Sequence, residues 1–160
     1  MTIGYDPKLS TPEKLAKLIT DLGYKVEEVE PPNTVAEEAK QENPVKAPMP
    51  QDAPKFLRDA FDKARRANQP VVVDFWAEWC APCVQLKKVT FQDPRVAKVL
   101  ERVQLIYVDL DKYPALGTVY SVESVPDVFF INREGFVVDR LHNFEPPDAF
   151  LVRLKALTAE

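Results

Sequence analysis

Residues 71–83 read Val71-Val72-Val73-Asp74-Phe75-Trp76-Ala77-Glu78-Trp79-Cys80-Ala81-Pro82-Cys83, and they hold both cysteines of the chain. The valine run has the β-branched composition of a buried strand. The cysteines follow where such a strand hands over to a helix. Two thiols at this spacing on a strand–helix unit point to a dithiol/disulfide redox pair. A bridge across so small a loop adds little chain-entropy stabilisation, so the pair suits chemistry better than scaffolding. The chain has one His and no third Cys, so a closed zinc site cannot form within one copy.

The 160 residues suffice for one sizeable core. Hydrophobic residues at 46% and charged residues at 29% are ordinary for a soluble globular protein. No apolar run approaches the ~20 residues a membrane helix needs. Met1 to Ser10 lacks a basic start followed by an apolar stretch, so no signal peptide is visible and the default location is cytoplasmic. A net charge of −4 gives no reason to expect a polyanion partner, which argues against nucleic-acid binding.

Working outward, three regions emerge. Residues 1–30 carry a small β-α-β pattern. Thr2 to Tyr5 reads as a strand, Thr11-Pro12 opens a helix with Leu15, Leu18, Ile19 and Leu22 on one face, Gly23 stops it, and Tyr24 to Val29 reads as a second strand. Residues 31–51 read as a linker: Pro31, Pro32, Pro44, Pro48 and Pro50 fall among Glu, Lys, Gln and Asn with few large apolar residues. Extended, it would span roughly 60 Å at about 3.1 Å per residue.

The third region, 52–160, has steadier signals. Asp52 is expected to cap a helix whose apolar face is Phe56, Leu57, Ala60, Phe61 and Ala64. Pro70 opens the strand 71–76. A helix is expected from Cys80 to about Val89, with Leu86 and Val89 facing inward. Asp93-Pro94 opens another, and 104–109 reads as a buried strand. A short helix at 114–120 precedes a hairpin of 128–131 and 136–141 turned at Arg133-Glu134-Gly135. Pro146-Pro147-Asp148 starts a last helix carrying Phe150, Leu151, Leu154 and Leu157. A parallel crossover followed by an antiparallel hairpin gives an α/β fold: a mixed four-stranded sheet with helices on both faces.

This order, with the motif at 71–83, resembles the thioredoxin family over about 52–160. A second match lies at Tyr120-Ser121-Val122-Glu123-Ser124-Val125-Pro126, where the family has an apolar residue and a cis-proline facing the active site. Departures are visible. Ala81 stands where glycine is usual, and Val84 where a lysine follows the second cysteine. Lys88 replaces a helix proline, Leu105 a strand lysine, and Asp127 a threonine. The stretch Leu86 to Leu100, with Thr90-Phe91-Gln92-Asp93-Pro94, looks more like thioredoxin-like domains that reduce partners for membrane thiol transporters. That leaves room for an extracytoplasmic location. Residues 1–30 resemble the second half of a heavy-metal-associated domain, without the half that would carry metal-binding cysteines.

The resemblance implies roles. Cys80, at a helix N-terminus whose unpaired N–H groups and dipole favour a thiolate, is the expected exposed nucleophile. Cys83, one turn further in, is the expected resolving thiol. Asp74, if buried beneath Cys83, would have a raised pKa and could accept that thiol's proton; the alternative is a solvated acid at a strand edge. Trp79, Ala81 and Pro82 would form the apolar rim around Cys80. Pro126 in cis would present the Val125 backbone to an incoming peptide. Trp76 is equally suited to the core, Glu78 to the surface, and the lone His142 to polar surface more than to a Cys–His pair. The implied function is a thiol–disulfide oxidoreductase that reduces protein disulfides as a monomer. It would need no bound cofactor or metal and no membrane insertion. Its partners would be disulfide-bearing proteins and a reductase or thiol donor. Two rivals are an oxidant or isomerase on the same fold, and a non-enzymatic metal- or partner-binding adaptor.

Overall fold

The computed structural model describes residues 45–159. The β-α-β head and residues 31–44 of the linker lie outside the described residues. The end of the linker segment differs from a free spacer. The Val45 carbonyl accepts the Val137 amide, the Ala47 amide donates to the Gly135 carbonyl, and Lys46 bridges Phe136.

Helix α1 spans Lys55–Ala67 and buries Leu57 and Ala64. It is entered through Pro54, with no side-chain cap. Asp52 is therefore not the cap: a residue before proline is biased to extended backbone, so Ala53 keeps the helix from starting earlier. Asn68 ends α1 in the left-handed conformation at φ 50°, which asparagine tolerates.

Strand β1 (Val71–Trp76) follows, then α2 (Ala81–Gln85), which continues into a π-turn at Leu86–Thr90. The Phe91 amide donates to the Leu86 carbonyl at 3.0 Å, one residue wider than an α-helical bond. That extra residue rotates the face. Leu86 is buried as expected, but Val89 is 47% exposed and Thr90 goes inward instead. Thr90 Oγ1 donates to the Glu145 carbonyl at 2.6 Å, satisfying its buried hydroxyl.

Asp93 caps α3 (Pro94–Leu100) by accepting the Arg95 amide at 2.9 Å. Then come β2 (Gln104–Asp109), α4 (Pro114–Val119), β3 (Asp127–Ile131), β4 (Val137–His142) and α5 (Pro147–Thr158). Gly135 turns the β3–β4 hairpin at φ 88°, where a side chain would be strained.

The sheet order is β2-β1-β3-β4. β1 pairs in parallel with β2 and antiparallel with β3, and β3 pairs antiparallel with β4. β2 is thus an edge strand, and its Tyr107 is 43% exposed, so the reading of 104–109 as a buried strand is corrected. Side-chain alternation splits the core into two layers. Val71, Val73 and Phe75 pack with Leu57, Ala64 and Leu116 on one face. Val72, Val128 and Phe130 pack with Leu86, Val96, Phe150 and Leu154 on the other.

Candidate active site

At the carboxyl end of β1 the chain turns through Ala77–Trp79 into α2, and Cys80 is the residue that caps that helix. Cys80 and Cys83 are joined in a disulfide, with S–S 2.06 Å. The Cys83 amide donates to Cys80 Sγ at 3.2 Å. This is an otherwise unpaired N–H of the first helical turn, and it favours negative charge on that sulfur once the bridge is opened. Pro82 in the first turn lacks an N–H that would go unused there.

Cys80 Sγ also lies 3.5 Å from the Val125 carbonyl oxygen. The Val125–Pro126 peptide bond is cis, as the motif implied. Cys83 is fully buried and Cys80 is 3% exposed, so the expected open nucleophile is a shielded sulfur in the disulfide form. The cover comes from Ala77, Trp76 and Val125, which pack against the pair. Trp79 is 73% exposed, and its indole nitrogen donates to Asp111 at 3.2 Å. Ala81 and Glu78 are exposed and Pro82 is half-buried.

Asp74 has no exposed surface, and neither carboxyl oxygen has a hydrogen-bond partner among the described residues. Strand alternation puts it on the face of Val72 and Trp76, towards the layer that carries Cys83 and Leu86. It is not a solvated edge residue. Desolvation pushes its pKa up from 3.8 to about 7, against the pull of the nearby Lys87 ammonium. A carboxyl that titrates near neutrality can take up and return a proton under working conditions.

Lys87 was missed by the motif reading. It stands four residues after Cys83 on the same helical face, a spacing that could have found it. Its ammonium lies 3.0 Å from the Trp76 ring centroid and 4.4 Å from that of Tyr107. Leu105, where a strand lysine is usual, faces the hydrophobic core beside Val103.

The cis-proline leads into a second polar cluster that sequence reasoning also left out. Asp127 is fully buried and held by Arg140, while His142 Nδ1 lies 3.4 Å from its Oδ1. His142 is surface-exposed, as expected of a polar residue after a strand, and its ionic neighbour is Asp127. The Asn143 amide donates to the Pro126 carbonyl at 3.0 Å and closes this edge of the site.

The sequence matches the Thioredoxin family model over residues 53–155. It is 36% identical over 107 residues to the mitochondrial thioredoxin of Mus musculus, covering 67% of this chain and 60% of that protein. It is 32% identical over 108 residues to the thiol:disulfide interchange protein DsbD of Vibrio vulnificus, covering 64% of this chain and 18% of that protein. The chain therefore spans less than two thirds of either relative. The reduced-form structure of the DsbD C-terminal domain of Neisseria meningitidis superposes with a TM-score of 0.54 at 29% identity, over 64% of this chain and 94% of that one. With the disulfide at a helix start, the cis-proline against it and the buried acid behind it, these matches place the chain in the thioredoxin family.

Proposed function

We propose that this chain is a thiol–disulfide oxidoreductase that reduces protein disulfides through Cys80 and Cys83. One observation carries the reading: the Cys83 amide points at Cys80 Sγ from the first turn of the helix, next to the Val125 carbonyl. In the reduced protein the Cys80 thiolate attacks one sulfur of a substrate disulfide. The substrate S–S bond breaks, a Cys80–substrate disulfide forms, and the leaving thiolate picks up a proton. Asp74 then takes the proton of the Cys83 thiol. The Cys83 thiolate attacks Cys80 Sγ, and the second substrate thiolate leaves. Two electrons have passed to the substrate, and the protein is left with the Cys80–Cys83 bond present in this structure.

Substrate chain docks as an added extended segment against the backbone at Val125 and Pro126, with Trp79, Ala81 and Pro82 as its apolar rim. A dithiol donor must restore the pair, and the similarity to a thiol:disulfide interchange protein supports a donor that is itself a protein dithiol.

The test is the reduction potential of the pair, equilibrated against glutathione and thioredoxin couples. A potential near about −270 mV, the value of thioredoxin itself, supports a reductant. One above about −200 mV makes the protein an oxidant or isomerase. A pair that never exchanges sinks the enzyme reading and leaves a binding adaptor.

A further inference from the structure

The loop from Ser121 to Pro126 carries the docking edge and has few bonds of its own to hold it. Its first two residues close α4. The Ser121 amide donates to the Thr118 carbonyl at 3.1 Å and the Val122 amide to the Gly117 carbonyl at 2.8 Å. This pattern puts Ser121 in the left-handed region, at φ 52°, where glycine is the usual residue. From Glu123 to Val125 no amide donates to another backbone group among the described residues. The Val125 carbonyl faces Cys80 Sγ at 3.5 Å, but a disulfide sulfur has no hydrogen to give. The partly buried Val122 and Val125 side chains set the depth of the loop. The direction of its backbone groups is set from its two ends.

One side chain holds both ends. Arg140, on β4, lies over the Phe129 ring at 4.4 Å. Its Nε donates to Asp127 Oδ1 at 2.9 Å. One terminal nitrogen donates both to Asp127 Oδ2 at 2.5 Å and to the Ser121 carbonyl at 2.8 Å. Asp127 directly follows Pro126 and is fully buried, so the grip is made away from water. Glu123, in the middle of the loop, adds its charge to the same guanidinium. A planar fork can hold two carboxylate oxygens and a carbonyl in one fixed geometry, which a lysine ammonium cannot. Asp127 stands where the family has a threonine, so the ionic grip is a departure of this chain.

We infer that Arg140 is a positioning residue for substrate docking: by holding the Ser121 carbonyl and the Asp127 carboxylate in one guanidinium, it fixes the Val125 backbone in the pose with which an extended disulfide-bearing chain pairs. The inference rests on protein substrates docking at Val125. A backbone edge already held in its bound form binds without a further loss of entropy to order it.

The test uses the reduced full chain and a short peptide whose single cysteine is in mixed disulfide with 2-nitro-5-thiobenzoate. Cys80 attacks the peptide sulfur and the aromatic thiolate leaves, so stopped-flow absorbance gives a maximal rate and a half-saturating concentration. A second peptide is N-methylated on both residues flanking the cysteine, which removes the N–H groups that the Val125 carbonyl would accept. The parent is expected to need about tenfold more of the methylated peptide for half-saturation. Two variants remove the grip without stranding a buried charge: Arg140→Lys, and Asp127→Asn combined with Arg140→Met. Both should need about fivefold more of the plain peptide, keep the maximal rate within about twofold, and lose most of the preference between peptides. A parent that does not distinguish the peptides refutes docking at Val125, and the inference falls with it. A parent that distinguishes them, with variants that do so equally, overturns the inference and leaves the docking reading intact. Variants that lose maximal rate on both peptides at unchanged half-saturation also overturn it, because Arg140 would then serve the fold around the cysteines and not the docking edge.

Discussion

Arg140 grips Asp127 through both carboxylate oxygens, Nε to Oδ1 at 2.9 Å and a terminal nitrogen to Oδ2 at 2.5 Å. The same guanidinium donates to the Ser121 carbonyl at 2.8 Å and lies 4.4 Å from the Phe129 ring centroid. One arginine on β4 thus ties together the start of β3, directly after the cis-proline, and the loop that leaves α4. Asp127 is fully buried while the Arg140 side chain is 30% exposed, so removing the arginine strands a charge that water cannot reach. Losing one partner of a buried pair costs about 3–5 kcal/mol. Arg140→Met is expected to destabilise by about 3 kcal/mol in urea unfolding. The double variant Asp127→Asn with Arg140→Met should recover part of that loss. Additive losses would mean the pair is not coupled.

Asp74 makes stability depend on pH in a direction opposite to most carboxylates. Its folded pKa of about 7 lies above the ordinary 3.8, so between those values the folded protein keeps a proton that the unfolded chain gives up. The contribution is fully present below pH 4 and is lost as pH rises through 7. Three pKa units correspond to on the order of 4 kcal/mol. Asp74→Asn should therefore raise the urea stability of the oxidised protein at pH 8 by a few kcal/mol and change it little at pH 4. Equal effects at both pH values would rule out a protonated buried carboxyl.

How much of this was legible follows from what each signal measures. The valine run and the apolar faces of α1 and α5 report burial directly, so Val72, Leu57, Phe150 and Leu154 land in the core as read. The hairpin was legible because Gly135 is needed at its positive φ. Val89 was misplaced because a period of 3.6 assumes an unbroken α-helix, and the π-turn inserts one residue that no local composition announces. Asp52 does not cap α1 because Pro54 restricts Ala53 to extended backbone, which cap propensity alone does not register. At the site, the motif residues could be read from order and spacing. Arg140 and the Asp127 pairing could not, since each depends on which strands become neighbours.

Trp79 gives a prediction about recognition. Its large apolar face is 73% exposed beside Cys80, and the indole nitrogen is tethered to Asp111. An exposed aromatic contributes little to the fold and much to contact with a partner. Trp79→Ala should raise KM for a protein disulfide at least severalfold. Turnover of a small aromatic disulfide should be nearly unchanged, and urea stability should stay within about 0.5 kcal/mol. Equal losses on both substrates would assign the ring to the chemistry and not to docking.

The two sulfurs differ in what can reach them. Cys83 is fully buried and Cys80 retains 3% exposure, with the helix amide directed at its sulfur. After reduction, iodoacetamide should therefore modify Cys80 alone, faster than a free thiol at pH 6 because the thiolate is the reacting form. Cys83→Ser removes the group that expels the substrate, so a mixed disulfide on Cys80 should accumulate and persist for hours. Cys80→Ser should lower the rate of protein-disulfide reduction by at least about a hundredfold and trap nothing, since its remaining thiol is fully buried. Mass spectrometry of the intact protein distinguishes these outcomes. A stable adduct on Cys83 in the Cys80→Ser variant would reverse the assignment of nucleophile and resolving thiol.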